Sequence, residues 1–309
     1  MKKTVFIFLF LTAIIHAKTP TLIFTYVYNR PDFIELHVKT FAVFFKDPYE
    51  YIVFNDAPSE QMSKNIEQTC AKLNVRCFRV PAHARNRQTP SYRHMDGIKY
   101  SLEALGFDHN GMVMMVDADM FLIKPFSVKE YMKDHDFIGG YQYRSRDGKS
   151  EQLQESNFIN GYRFSDEGKI VYTSPCLVFM DMGNLPNKRT INFDGDRVEG
   201  VSCDVGGHTY YYFKNNPSVT HTLYVAVSRD YLITLTKSLD EYGFFDPLSI
   251  DFIMNNKREF GFQYHADGNF LHFYAGGSNW PKYSASFMQE KTNLVNQYID
   301  RQIAYYTEN

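Results

Sequence analysis

The sequence predicts an α/β fold with a mostly parallel central sheet flanked by helices, and three features predict it. Short apolar runs of strand length alternate with amphipathic stretches of helix length from Thr21 to Phe126, a pattern that calls for parallel strands joined by crossovers. One run, Met112 to Val116, is apolar throughout and reads as a central strand buried on both faces. Two acidic residues, Asp117 and Asp119, follow it at once, where an open α/β sheet places its ligands.

The chain opens with Lys2-Lys3, an apolar run from Thr4 to Ile15, and Ala17 before Lys18. That build reads as a secretory leader over residues 1–17, too short to span a bilayer comfortably. An uncleaved anchor or a buried first strand is the other reading. No repeat, low-complexity tract or Pro/Ser linker divides residues 18–309, so one domain is expected, with a first half to about residue 126 and a less regular second half over about 127–309. A net charge of −2 with no basic run excludes a nucleic-acid binder of the usual basic kind.

Thr21 to Tyr26 reads as the first strand, and Asn29-Arg30-Pro31-Asp32 as the turn that starts a helix through Phe33 to Phe45. Tyr51 to Phe54 is the second strand, ended by Asn55-Asp56-Ala57-Pro58. A helix over Ser59–Leu73 and a third strand over Val75–Val80 follow. From Ser91 a helix carries Met95, Ile98, Leu102 and Leu105 at helical spacing, with Arg93 and His94 in its first turn, where donors and the helix dipole meet anions. Val128–Lys133 reads as a solvated helix, Phe137–Gly140 as a short strand, and Tyr143–Asn157 as a polar lid or acceptor loop. Ser174–Asp181 contains the apolar run Cys176–Met180, and Asp204 to His208 opens a helix bearing Tyr210, Tyr211 and Phe213.

Asp-x-Asp spacing alone is weak, since average composition yields it roughly once in a chain of this length. Here it occurs at Asp117/Asp119, Asp134/Asp136 and Asp194/Asp196. Only the first pair follows a buried strand and precedes an apolar run, Met120 to Ile123, with a Pro125-Phe126 turn. Two carboxylates at a sheet edge repel unless a cation lies between them, and hard oxygen ligands suit Mg²⁺ or Mn²⁺ with positions left open for phosphate oxygens. Cysteine spacing offers Cys70–Cys77 and Cys176–Cys203 as possible disulfides, or four free thiols, and no zinc site.

The ordered set Tyr26, Asn29-Arg30-Pro31-Asp32, Asn55-Asp56, Arg93 with Gly97, and Asp117-Ala118-Asp119 resembles the nucleotide-sugar-binding half of GT-A glycosyltransferases. The resemblance implies that Asp56 contacts the base, that Tyr26 and Asn29 line the nucleotide pocket, and that Arg93, with His94 beside it, approaches the diphosphate. Asp119 and Asp117 would hold a Mn²⁺ or Mg²⁺ ion. Near the end, His272 followed by Gly276, Gly277 and Trp280 is similar to a late motif that supplies a third metal ligand in several such families, although Ser278-Asn279 stands where some of them place a Lys.

Transfer chemistry needs a carboxylate near the sugar. Asp204 and Asp251 are the two candidates, and helix capping is the alternative role of each. The implied activity is transfer from a UDP- or GDP-sugar to a hydroxyl acceptor on a glycan, lipid or protein. Two rivals stand: a nucleotidyltransferase, against which the glycine-free stretch after the first strand counts, and a non-catalytic exported carbohydrate- or nucleotide-binding protein. The leader points to export or a secretory lumen, with the membrane involved only through an uncleaved leader, and a cytoplasmic place otherwise.

Overall fold

The computed structural model describes residues 19–84, 90–145, 169–228, 245–274 and 283–308. The expected leader, residues 146–157 of the expected lid, and Gly276 to Trp280 of the late motif lie outside the described residues. The first half alternates strand and helix as its sequence predicts. β1 is Thr21–Val27, α1 Pro31–Phe44, β2 Tyr49–Asn55, α2 Glu60–Lys72, β3 Arg76–Arg79, α3 Pro90–Ser101 and β4 Met112–Val116. Local chemistry sets the boundaries. Pro31 opens α1 with its φ already helical, and the Ser59 side chain caps α2 by accepting from the backbone N–H of Met62. α3 ends in a wider turn over Leu102–Gly106.

β5 (Met120–Leu122), α4 (Val128–Met132), β6 (Phe137–Ser145), β7 (Lys169–Asp181), β8 (Asp196–Val198) and β9 (Val201–Cys203) come next. They are followed by α5 (Thr209–Asn215), β10 (His221–Tyr224), β11 (Val227–Ser228), α6 (Pro247–Asn255), β12 (Gln263–His265), β13 (Phe270–His272) and α7 (Ala285–Glu308). Among the described residues the main sheet has seven strands in the order β10-β6-β7-β4-β1-β2-β3. β7 runs against its neighbours β4 and β6, while every other pairing is parallel. The expected mostly parallel sheet flanked by helices is therefore the one observed.

β4 lies at its centre, and both of its faces are buried. Met114 and Val116 join the core under α1 and α2, while Val113 and Met115 join the core under α3. A second, four-stranded antiparallel sheet, β11-β12-β13-β5, grows from the end of β4. Its Phe121, Leu271 and Phe273 pack with Val295, Tyr298 and Ile299 of α7. α7 is held at Asp246, whose side chain caps α6 through the Ser249 N–H and accepts from Gln302 and Tyr306.

Three sequence expectations change. β6 and β7 are longer than their apolar cores suggested, and they pair along their whole length with one irregularity at Gly139/Gly140. Residues 120–122, expected as a plain apolar run, form the edge strand of the second sheet. All four cysteines are free. Cys176 contacts Ser174 and Asp117, whereas the Cys203 thiol donates to Val201 O, so the second expected pair does not meet. The thiols of Cys70 and Cys77 lie side by side between α2 and β3 and perturb one another.

Candidate metal centre at the sheet edge

The turn after β4 is tied down by the main chain. The Asp117 N–H donates to Cys176 O of β7 at 2.8 Å, and the Met120 N–H donates to Asp117 O at 3.1 Å. The chain then leaves the main sheet as β5 and pairs with β13 in a register that sets Met120 opposite His272. The Phe273 N–H donates to Asp119 O at 2.7 Å. Asp119 and His272, far apart in sequence, are thereby fixed side by side, with Nε2 3.2 Å from Oδ1.

One ligand atom each from Asp117, Asp119 and His272 lies within 4.8 Å of the other two. Asp119 and His272 are 8 % and 6 % exposed, so these two are largely screened from bulk water, while Asp117 is half-buried. Two carboxylate oxygens are hard ligands that suit a divalent ion such as Mn²⁺ or Mg²⁺, and the imidazole nitrogen is a common ligand of transition metals. Nearby polar atoms agree with a ligand-binding edge. His94 Nε2 and His272 Nδ1 are buried and make no hydrogen bond, an arrangement a folded chain rarely tolerates without a ligand or water to satisfy it.

The electrostatics follow from burial and from crowding of like charge. Burial pushes the Asp117 carboxyl up; His94 opposes this and the Asp119 charge adds to it. Burial would lower the His272 imidazole, but Asp119 beside it outweighs that and raises it. Burial brings the Lys291 ammonium on α7 down to about 8, with the Asp119 charge opposing.

Of the residues named from sequence, Asp117, Asp119 and His272 meet here, with His94 beside Asp117. His94 brings Nε2 to 3.4 Å from Asp117 Oδ1, within ion-pair reach but not aligned for a hydrogen bond. Tyr26 is buried beneath it, with ring centroids 5.1 Å apart and its hydroxyl on Ser101 Oγ at 2.8 Å. Tyr26 is thus 9 % exposed, with its hydroxyl already engaged. Arg93 grips Asp56 with two hydrogen bonds to the carboxylate, at 3.0 and 2.7 Å, and one to Asp56 O at 2.6 Å. Its guanidinium also lies over the Tyr28 ring at 4.9 Å. In this structure Arg93 faces Asp56, not the metal ligands.

The two expected catalytic carboxylates lie apart from this group. Asp251 is half-buried on α6, bonded to Asn255 and paired with Arg301 of α7. Asp204 is exposed, and its side chain accepts from its own neighbour Val205 N–H. It does not cap the following helix, which starts at Thr209 after an uncapped His208. The segment before β8 packs on Asp204 and reaches α3: Gly195, whose added Cβ would lie 2.9 Å from Asp204 O, donates its N–H to Met95 Sδ at 2.7 Å.

Sequence reasoning missed Lys291, Cys176, His265 and His37. The Cys176 thiol contacts Asp117, the His265 ring lies 5.2 Å from that of His272, and His37 bridges Tyr51 OH and Met120 O at 2.8 Å each. None sits in a motif. Only Lys291 had a signal, a cation at an inward position of an otherwise amphipathic helix.

No family model and no curated protein matches the sequence. Among solved structures, the chain is similar to the galactosyltransferase LgtC in complex with donor and acceptor sugar analogs, at 13 % identity over 90 % of this chain and 95 % of that one, with a TM-score of 0.42. It is also similar to glucosyl-3-phosphoglycerate synthase from Mycobacterium tuberculosis with Mn²⁺, UDP and glucosyl-3-phosphoglycerate, at 10 % identity over 68 % and 70 % of the two chains, with a TM-score of 0.40. A third likeness is to TarS residues 1–349 of S. aureus, at 15 % identity over 57 % of this chain, with a TM-score of 0.35. The match spans half of that TarS chain.

Proposed function

We propose that the chain is a metal-dependent glycosyltransferase that moves a sugar from a UDP- or GDP-linked donor to a hydroxyl on a glycan, lipid or protein. The observation that carries this reading is the meeting of Asp117, Asp119 and His272 at the carboxyl edge of a mostly parallel sheet. Such an edge is where α/β sheets take phosphate-bearing ligands. Mn²⁺ or Mg²⁺ bound by these three residues would neutralise charge developing on a departing diphosphate.

The chain's own residues hold the rest. His94 steadies the Asp117 carboxylate from the first turns of α3. Asn29 Oδ1, buried and without a partner, is an acceptor ready for a nucleoside donor group. The Asp56–Arg93 pair fixes the wall between β2 and α3 against which a base would lie. Of the two carboxylates read from sequence, we retain Asp204 for the sugar, because it packs on Gly195, which reaches α3, and set Asp251 aside because Arg301 and Asn255 engage it. The leader read from residues 1–17 fits delivery to a secretory lumen or a recipient cell, where nucleotide sugars are at hand.

A thermal-shift panel of UDP, GDP and their sugars, with and without Mn²⁺, tests the reading, because a ligand of the folded state raises the melting temperature by mass action. Turnover of the donor so identified should be lost in Asp119→Ala without loss of fold. Unchanged turnover in that variant, or full activity in EDTA, would remove the mechanism. Binding without consumption of any donor would favour the non-catalytic rival.

A further inference from the structure

Tyr274 stands two residues after His272, with its backbone at φ 53°. The other non-glycine residues at positive φ among the described residues are Asn, Asp, Glu and Ala, and a bulky side chain in that region is a genuine outlier. Glycine would hold the same backbone at no steric cost. The conformation is imposed from both sides. The Phe273 N–H donates to Asp119 O at 2.7 Å, and Lys291 Nζ donates to Tyr274 O at 2.8 Å. Lys291 is itself buried against the Phe273 ring, 4.3 Å from its centre, so the Tyr274 carbonyl is held from inside the core.

The side chain that bears this strain adds little to the core. Its ring is 45 % exposed, and its hydroxyl makes no hydrogen bond among the described residues. One edge meets the His272 ring, with centroids 5.7 Å apart, and Cδ1 lies 3.7 Å from where a Cβ on Gly261 would stand. Strain of this kind clusters at ligand-binding places, where the surrounding structure over-determines it. Contacts run in series from His94 on α3 through Asp117, Asp119 and His272 to Tyr274. The ring therefore stands at the end of the series away from α3, the helix whose wall is assigned to the base. An acceptor oxygen must come to about 3–3.5 Å from the anomeric carbon of the donor, and that carbon is joined to the diphosphate through one oxygen. The acceptor is thus drawn close to the metal ligands, on the side that the nucleoside leaves open. We propose that Tyr274 is the platform for a sugar acceptor, the C–H face of a pyranose resting on the electron-rich face of the ring. This rests on the glycosyltransferase reading and deepens it, naming a pyranose as acceptor in preference to an aliphatic alcohol or a Ser/Thr side chain, neither of which has a flat face to offer.

The test offers the donor identified by the thermal-shift panel to the wild type, Tyr274→Gly and Tyr274→Phe, with a glycan array, 1-octanol and a Ser/Thr peptide as acceptors. The wild type should transfer to pyranosides. In Tyr274→Gly the KM for the best of them should rise roughly three- to tenfold, the strength of one aromatic stack. Tyr274→Phe, which keeps the ring face, should stay near the wild type. Titration should show Mn²⁺ and the nucleotide binding Tyr274→Gly as they bind the wild type, and that variant should melt no lower, because glycine relieves the strain at φ 53°. An unchanged acceptor KM in Tyr274→Gly overturns the platform, as does a wild type that uses the alcohol or the peptide and no sugar, or no acceptor at all. Weakened nucleotide affinity in Tyr274→Gly overturns it by placing the ring against the donor, and a clearly lower melting temperature does so by making the ring a packing element. Failure of the wild type to bind any nucleotide or nucleotide sugar in the panel overturns the glycosyltransferase reading itself.

Discussion

Arg93→Ala should destabilise the protein far more than loss of a surface cation does. The side chains of Arg93 and Asp56 are only 11 % and 9 % exposed, and the guanidinium makes two bonds to the carboxylate and one to the Asp56 carbonyl. Truncation leaves a nearly buried carboxylate with its main cationic partner gone. Breaking such a pair costs about 3–5 kcal/mol, against about 0–1 kcal/mol for an exposed one. For a chain of this size that corresponds to a fall of roughly 5–8 °C in melting temperature. Urea denaturation of Arg93→Ala, Asp56→Asn and the double variant measures it, and the double variant should recover part of the loss because no charge is then stranded. A loss below about 1 kcal/mol would refute the reasoning. Unchanged stability with nucleotide binding abolished would return Arg93 to the diphosphate role that the sequence resemblance implied.

Three further outcomes are expected. Burial holds the His37 imidazole down at about 4, against 6.5 when unfolded; the unfolded chain therefore binds the proton first, and stability is lost as pH falls from about 6.5 to about 4. The loss approaches about 3 kcal/mol, and His37→Gln should flatten that limb of a stability-against-pH curve. Mn²⁺ should raise the wild-type melting temperature and EDTA should reverse the rise, whereas Asp119→Asn and His272→Ala should show little response; an equal response in all three would place the ion elsewhere. A mild disulfide oxidant should join Cys70 to Cys77, whose thiols touch, and leave Cys176 reduced; peptide mapping that finds any other pair would contradict the structure.

Much of the first half was legible because each strand and helix there carries its own pattern. β4 needed no partner to be recognised, since a run of apolar residues flanked by polar ones has nowhere to go but the sheet centre. Pro31 and Ser59 marked the helix starts by fixed φ and by a side-chain acceptor. The second half was less legible. β5 is three residues long and edge-paired, too short for periodicity to register. The buried polar residues His37, His265 and Lys291 looked like ordinary helix or strand members, because burial belongs to the assembled core and leaves no local mark in composition.

The sequence by itself determined the alternation of strand and helix, the central acidic strand, and the residue types able to hold a hard cation. Tertiary structure alone decided that His272 faces Asp119, because the antiparallel register of β13 on β5 brings them together. It also decided that Arg93 faces Asp56 and that Lys291 lies without a carboxylate beside the centre. A pattern along a chain can announce which residues could meet, but register and packing select the pairs that do.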